Sequence, residues 1–469
     1  MTVEPFVTQD LAGWGRFPVE RCHLFRPERR DAVPAILASG GQPSYVARGL
    51  GRSYGDAALN AGAGVIGYER LNRFIAFDPE SGVLECEAGA SLAEIIQHFL
   101  PRGYFLPVTP GTKFVTVGGA IAADVHGKNH HRDGTIARFV QEFTLLTPGG
   151  EVLTCSPDRN EDVFWATAGG MGLTGVILTA KVRLRPVETA YVLVDYQKAR
   201  NLEEALGLFA ESDEQYQYSV AWIDCLARGA AMGRAVLMRG NHAPAAALPR
   251  GVRDPLALPG KGWRAVPVEL PSGLLNRFTV GAFNAVYYGR HRDVRGEVVD
   301  LETFFYPLDS VHHWNRMYGR RGFVQYQVAL PPAAGPRGLA ELLRRLAGSR
   351  RASFLAVLKR FGPANPGLLS FPMEGYTLAL DLPVGPGLVP FLHELDRVVL
   401  EHGGRVYLAK DAVLTPETFA AMYPNLERFR EIKRRLDPQG LLSSSMARRL
   451  GMVAGEGVPS GAAGARREA

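Results

Sequence analysis

From about Arg48 to Pro186, apolar residues come in short runs broken by Gly and other turn residues, a pattern that predicts many short strands and few long helices. Val65-Ile66-Gly67, Phe74-Ile75-Ala76-Phe77 and Val83 to Ala88 read as strands. Leu92, Ile95, Ile96 and Phe99 fall on one helical face, and Ser91 precedes them as an N-cap. Phe143 to Thr147 and Glu151 to Thr154 flank Pro148-Gly149-Gly150, a hairpin signal, and Gly175 to Leu184 reads as a further strand. Beyond Pro186 the spacing predicts a helix over Glu203 to Phe209, strands over Tyr216 to Asp224, Phe323 to Val328 and Tyr376 to Asp381, and a helix over Gly338 to Leu346. Another helix, from Leu388 to His402, should stop at Gly403-Gly404. Asn241 to Arg295 is rich in Pro, Gly and Arg with poor periodicity and reads as long loops of the kind that serve as lids. The tail beyond Gly451 has no apolar face and is expected to be disordered. The class is α+β.

Composition narrows the picture. At 469 residues the chain exceeds one core, so two or three domains are expected. With 46% hydrophobic and 21% charged residues it is not a disordered chain, and no uninterrupted apolar run reaches the ~18 residues of a spanning helix. A net charge of +6 over this length argues against nucleic acid, yet suits an anionic substrate or an anionic membrane surface. Four scattered cysteines form no CxxC, which suits a reducing compartment. The N-terminus shows no apolar signal region, so the expectation is a cytoplasmic protein with at most peripheral membrane or cell-envelope attachment.

Two glycine-rich stretches carry the candidate chemistry. In Arg48-Gly49-Leu50-Gly51-Arg52-Ser53-Tyr54-Gly55-Asp56 three glycines let main chain approach a ligand and turn N–H groups inward, as a pyrophosphate requires. Taken alone, the spacing is no dinucleotide fingerprint, and a tight structural loop or a nicotinamide-binding turn would read alike. The second runs from Pro110-Gly111-Thr112 through Thr116-Val117-Gly118-Gly119-Ala120 to His126-Gly127-Lys128-Asn129-His130-His131. Its Thr116 to Ala120 portion reads as a loop opening a small-residue helix, with free N–H groups for a phosphate and a flat surface for a cofactor. The three histidines lack matching carboxylates or thiolates, so no metal is expected; His130 and His131 read as a polar turn.

These stretches, followed by Phe164-Trp165-Ala166-Thr167-Ala168-Gly169-Gly170-Met171-Gly172, resemble the PCMH-type FAD-binding domain of the vanillyl-alcohol-oxidase superfamily. More narrowly the chain is similar to the oxidase subunits of the decaprenylphosphoryl-β-D-ribose 2′-epimerases. That likeness runs through Tyr218 to Trp222, Trp314-Asn315-Arg316, Gln325-Tyr326-Gln327, Ser370-Phe371-Pro372 and Ala409-Lys410-Asp411 to Met446-Ala447-Arg448-Arg449-Leu450. The resemblance implies a two-subdomain FAD-binding domain over residues 7–187 and a substrate domain over 188–399, with an antiparallel sheet flanked by helices. A segment over 400–450 would return to the FAD domain, leaving 451–469 as the tail.

By the same resemblance FAD is bound non-covalently, with contacts from Gly49, Gly51, Arg52, Ser53, Tyr54, Gly55, Asp56, Gly111, Thr116, Val117, Gly118, Gly119, His126, Gly127, Asn129, Ile177 and Tyr407. The implied reaction oxidises the C2′ hydroxyl of a polyprenyl-phosphoryl ribose to a ketone, with hydride passing to flavin N5. The keto sugar is then handed to an NAD(P)H-dependent keto-reductase, as part of arabinan synthesis for the cell wall. Lys410 is the first choice for the reacting centre, with His126, Tyr54 and Gln327 beside it and the base left open. Lys359, Gln325 and Trp222 are expected on the substrate, although Lys359 and Arg360 also read as exposed strand-end charges. Ala379 stands where well-known actinobacterial members carry Cys, and Phe304 to Asp309 departs from their loop, so substrate identity is less constrained than cofactor. An aldonolactone or alditol oxidase that uses oxygen is the alternative activity; a non-catalytic flavoprotein is a further one.

Overall fold

The computed structural model describes residues 5–260, 264–349 and 351–453; most of the expected tail, from residue 454 on, lies outside the described residues. Three sheets organise the chain. The first has β1 (Phe6–Ala12), β2 (Val19–Phe25), β3 (Tyr45–Arg48) and β4 (Gly64–Gly67) in the order β1-β2-β4-β3. Strands β2 and β3 both run parallel to β4, and the crossover between them is α1 (Ala32–Ala38), whose Val33, Ile36 and Leu37 join the core of Phe25 and Tyr45. The second sheet is antiparallel, with β5 (Phe74–Asp78), β6 (Val83–Glu87), β7 (Val140–Leu146), β8 (Val152–Cys155) and β9 (Val176–Arg183) in the order β5-β6-β9-β7-β8. Its helix α2 (Leu92–Phe99) buries the four apolar residues named above. It begins at a reciprocal cap, in which the Glu94 N–H donates to Ser91 Oγ at 3.1 Å and the Ser91 N–H to Glu94 Oε2 at 2.8 Å. The six-residue α3 (Val117–Ala122) follows, and α4 (Glu161–Thr167) lies between β8 and β9.

The third sheet has eight strands, all paired antiparallel: β10 (Tyr191–Ala199), β11 (Tyr218–Ile223), β12 (Ala235–His242), β13 (Val294–Asp300), β14 (Phe323–Leu330), β15 (Ala356–Phe361), β16 (Gly375–Pro383) and β17 (Arg405–Val406). Their order is β13-β10-β12-β11-β15-β16-β14-β17. Helices α5 (Leu202–Ser212), α8 (Gly335–Gly348) and α9 (Leu388–Glu401) cover one face. The two-residue period of a strand sorts the side chains between faces. Ala221, Val324, Tyr326, Leu358, Leu378 and Leu380 go to the helices, whereas Trp222, Gln325, Gln327, Lys359, Ala379 and Asp381 stand on the opposite face. That opposite face is turned toward the glycine-rich loops.

The segment expected as loops contains the helix α6 (Arg277–Arg290), and α7 (Leu301–Phe305) follows β13. Periodicity missed α6 because Gly281 and Gly289 interrupt it and its outward positions are themselves apolar, which erases the alternation that marks an amphipathic helix. After α9 the chain passes through β17, α10 (Pro416–Met422) and α11 (Leu426–Leu436), then returns to the first sheet. There the Tyr45 N–H donates to Leu441 O at 2.7 Å and the Ser443 N–H to Tyr45 O at 3.0 Å. In α12 (Ser445–Arg449), Arg449 bridges two buried carboxylates, Asp56 at 2.7 Å and Asp411 at 2.9 Å.

Candidate active site

A cavity of about 550 Å³ lies between the glycine-rich loops and the uncovered face of the eight-stranded sheet. Its floor is main chain. Arg48 braces the first loop from behind, donating to Ala58 O at 3.1 Å and Ala12 O at 2.6 Å. Gly51 takes φ +62°, a turn that other residues adopt only with strain. The N–H groups of Gly49, Leu50, Gly51, Arg52 and Ser53 donate to no acceptor among the described residues. All five residues line the cavity, as do Gly111 and Gly172, at both of which a Cβ would meet nothing within 4 Å. A row of unpaired N–H donors beside open backbone is what the diphosphate of a dinucleotide needs, so the residues present fit FAD.

The second loop differs from expectation. The Val117 N–H donates to Ala90 O, the Gly118 N–H to Ala88 O (both 2.8 Å) and the Gly119 N–H to Thr116 Oγ1 at 3.2 Å. These donors are consumed within the fold, so the Thr116 to Ala120 turn presents a surface rather than free N–H groups. Gly118 has the close packing of such a surface, since a Cβ there would sit 2.9 Å from Ala88 Cβ.

The wall opposite is built from side chains. Trp222, Val357, Ala379 and Gln327 are direct cross-strand partners on four successive strands, with Lys359 two residues from Val357 on the same face. Gln327 Nε2 donates to His126 Nε2 at 3.1 Å and to Thr377 Oγ1 at 3.2 Å. Burial, and then the nearby charges of Lys359, His130 and Lys410, hold the His126 imidazole well below its ordinary pKa, so it is neutral. Lys410 Nζ lies 3.9 Å from the centre of the Tyr54 ring. Burial pulls its ammonium down to about 7, partly offset by Asp381. Burial likewise takes Lys128 to about 7 and Lys359 to about 8. Asp381 itself is fully buried and pushed up to about 7, with Gln325 Nε2 donating to it at 2.5 Å and the Tyr318 hydroxyl at 3.5 Å. Burial, with Asp381 adding to it, keeps the Tyr54 phenol protonated far above its usual range.

Most of the residues singled out from sequence line this one cavity: Gly49, Gly51, Arg52, Ser53, Tyr54, Gly111, Thr116, Gly118, Gly119, His126, Ile177 and Tyr407, together with Trp222, Gln325, Gln327, Lys359 and Lys410. Lys359 therefore faces a cavity from within β15 and is not an exposed strand-end charge. Gly55, Asp56, Val117, Gly127 and Asn129 lie behind the wall instead. A Cβ on Gly55 would meet the Asp411 carbonyl at 1.9 Å and one on Gly127 the Asn129 Oδ1 at 2.5 Å; Val117 is core, Asp56 is taken by Arg449, and Asn129 donates to Pro107 O at 2.8 Å. His130 is buried and accepts the Gly362 N–H at 3.2 Å, a structural role. Among the described residues no group of His, Cys, Asp or Glu is arranged to hold a metal ion. Sequence reasoning missed Asp381; the alternation Thr377, Ala379, Asp381 against Leu378, Leu380, Leu382 could have exposed it.

Comparison with known proteins agrees with this geometry. Residues 23–156 match the family model "FAD binding domain", and residues 384–450 match "D-arabinono-1,4-lactone oxidase". A decaprenylphosphoryl-beta-D-ribose oxidase from Mycolicibacterium smegmatis is 41% identical over 455 residues, covering 96% of this chain and 99% of that protein. An uncharacterized protein in the mprA 5′ region of Streptomyces coelicolor is 41% identical over 77% of this chain and 99% of its own. The L-gulonolactone oxidase of Mus musculus is more distant, 24% identical over 90% of this chain and 93% of its own. With such coverage and a matching cavity, the chain belongs to the decaprenylphosphoryl-β-D-ribose oxidase family of FAD-dependent oxidoreductases.

Proposed function

We propose that this enzyme oxidises the C2′ hydroxyl of a polyprenyl-phosphoryl-β-D-ribose to the 2′-keto sugar, the first half of an epimerisation that feeds cell-wall arabinan synthesis. The observation that carries the reading is the placing of three lysines, Lys128, Lys359 and Lys410, on the cavity that the main-chain cradle opens into. FAD supplies the hydride acceptor when bound. The chain's own residues do the rest. Gly49 to Ser53 hold the diphosphate on their N–H groups, and Ile177 and Tyr407 bound the site. No cysteine lines the cavity, which supports FAD held without a thioether tether. The substrate phosphate, an anion beside them, holds Lys359 and Lys128 in their charged forms and is neutralised by them, while Trp222 and Gln325 bound the sugar.

Lys410 takes the hydroxyl proton. With its pKa near 7 it is substantially neutral at working pH, and Tyr54 beneath it stays a hydrogen-bond donor. His126, neutral and fixed by Gln327, orients the sugar. The FAD-binding part is residues 7–187, closed by 400–450, with the substrate part over 188–399. The keto product passes to an NAD(P)H-dependent reductase, and the enzyme meets its lipid-linked substrate peripherally; no described helix is long and apolar enough to cross a membrane. The test is anaerobic: bound FAD bleaches on adding polyprenyl-phosphoryl ribose. Bleaching by free aldonolactones or alditols instead would favour the lactone-oxidase reading, which the match over residues 384–450 keeps in view.

A further inference from the structure

Exposed large apolar side chains of the described residues gather most densely at one place. Five of the thirteen, Val268, Leu274, Phe278, Phe283 and Val286, fall between residues 268 and 286, and Phe278 is 71% exposed. They lie on α6 or just ahead of it. The helix is firmly seated. Asn276 caps it reciprocally with Thr279, Asn284 Nδ2 donates to the buried Asp224 Oδ1 at 2.7 Å, and the Tyr287 ring packs 4.6 Å from that of Trp222. Its outward positions 278, 282, 285, 286 and 289 are Phe, Ala, Ala, Val and Gly, all exposed. A seated helix that shows an apolar face to solvent marks a docking surface.

We infer that α6 is an interfacial helix that beds its Phe278–Val286 face in an anionic lipid bilayer. Charge favours this occupant over a protein. From Leu270 to Arg292 the chain carries Arg277, Arg290 and Arg292 and no carboxylate; of the two acids that bound the stretch, Glu269 is paired with Arg16 and Asp293 accepts the Lys198 N–H, so the charge left beside the apolar face is positive. Fourteen residues make a helix of about 21 Å, too short to span a membrane and suited to lying in its surface. Continuity with the active site gives the second argument. The inner side of the same helix places Tyr287 and His291 on the cavity wall beside Trp222. A substrate whose sugar phosphate is joined to a prenyl chain would pass beneath α6 with its chain still in the bilayer. That last step rests on the polyprenyl-phosphoryl ribose reading; the docking face does not.

The test uses the full chain with FAD bound, sedimented with vesicles of phosphatidylcholine alone or mixed with phosphatidylglycerol. The mixed vesicles should carry the protein down. The double variant Phe278→Asp/Val286→Asp should lower the bound fraction about tenfold, and Arg277→Glu/Arg290→Glu should abolish the preference for the anionic lipid. Both variants should keep their flavin absorbance and circular dichroism. Equal binding by wild type and the aspartate variant overturns the proposal. So does a wild type that ignores vesicles and runs by light scattering as a dimer that the aspartate variant splits. Bleaching by substrate dispersed in detergent is read separately and should be unchanged in the aspartate variant. If vesicles bind but no bleaching occurs, the substrate reading falls and the docking helix stands.

Discussion

The two walls of the cavity are made of different material. The cradle from Gly49 to Ser53, with Gly111 and Gly172, offers backbone N–H groups and absent side chains. The wall from the eight-stranded sheet offers side chains at alternate positions of β11, β14, β15 and β16, held in register by antiparallel pairing. The first suits a ligand that is always the same, because main chain cannot be exchanged by mutation. The second suits a ligand that differs between relatives, since each side chain changes without disturbing the ladder.

The comparison can be broken most sharply at Lys410. Lys410→Ala should cut the rate of flavin bleaching by substrate about 10²- to 10⁴-fold while leaving FAD bound; loss of the flavin together with the rate would show that the sheet side also holds the cofactor. Next is Gly111→Ala on the cradle. A Cβ there meets no protein atom, so apo-protein stability should hold, whereas FAD should bind about tenfold more weakly as the methyl enters its space. Unchanged FAD affinity in a titration followed by flavin fluorescence would take Gly111 out of the cradle. The smallest effect is on pH. Below about 7 the Lys410 ammonium has no lone pair for a proton, so bleaching should rise with pH through that value. Asp381 holds that pKa up, so Asp381→Asn should move the rise to lower pH, by about half a unit to one unit. Disappearance of the rise altogether would mean that Asp381 and not Lys410 titrates in the profile.

The two walls were not equally legible. Glycines mark RGLGRSYGD and VTVGGA as candidate cradles, although the first alone fits a tight structural loop as well, and the resemblance decided between the two. Yet identity does not say where an N–H points: Gly118 and Gly119 looked like donors to a ligand and are spent on Ala88 and Thr116. On the sheet side Gln325, Gln327, Lys359 and Lys410 were reached through resemblance, because residues far apart in sequence meet only through strand order. Asp381 was passed over since a lone acid in an apolar strand gives no local sign of the lysine it faces. Gly55, Asp56 and Asn129 belonged to the right motifs but serve the loops rather than the cavity. Helix α6 was lost because an apolar outward face defeats any reading that assumes water on that side.

The Arg449 bridge has a bearing on how the enzyme is made. Asp56 belongs to the cradle loop and Asp411 follows the reacting lysine, and the cation that joins them lies near the end of the described chain. On a ribosome the cradle loop emerges long before its clamp, and Lys410 is absent while the first two sheets are already complete. A nascent chain therefore has most of its dinucleotide-binding surface but neither the clamp nor the lysine. The cradle loop and the reacting lysine are tied together only once the segments before and after the eight-stranded sheet have met.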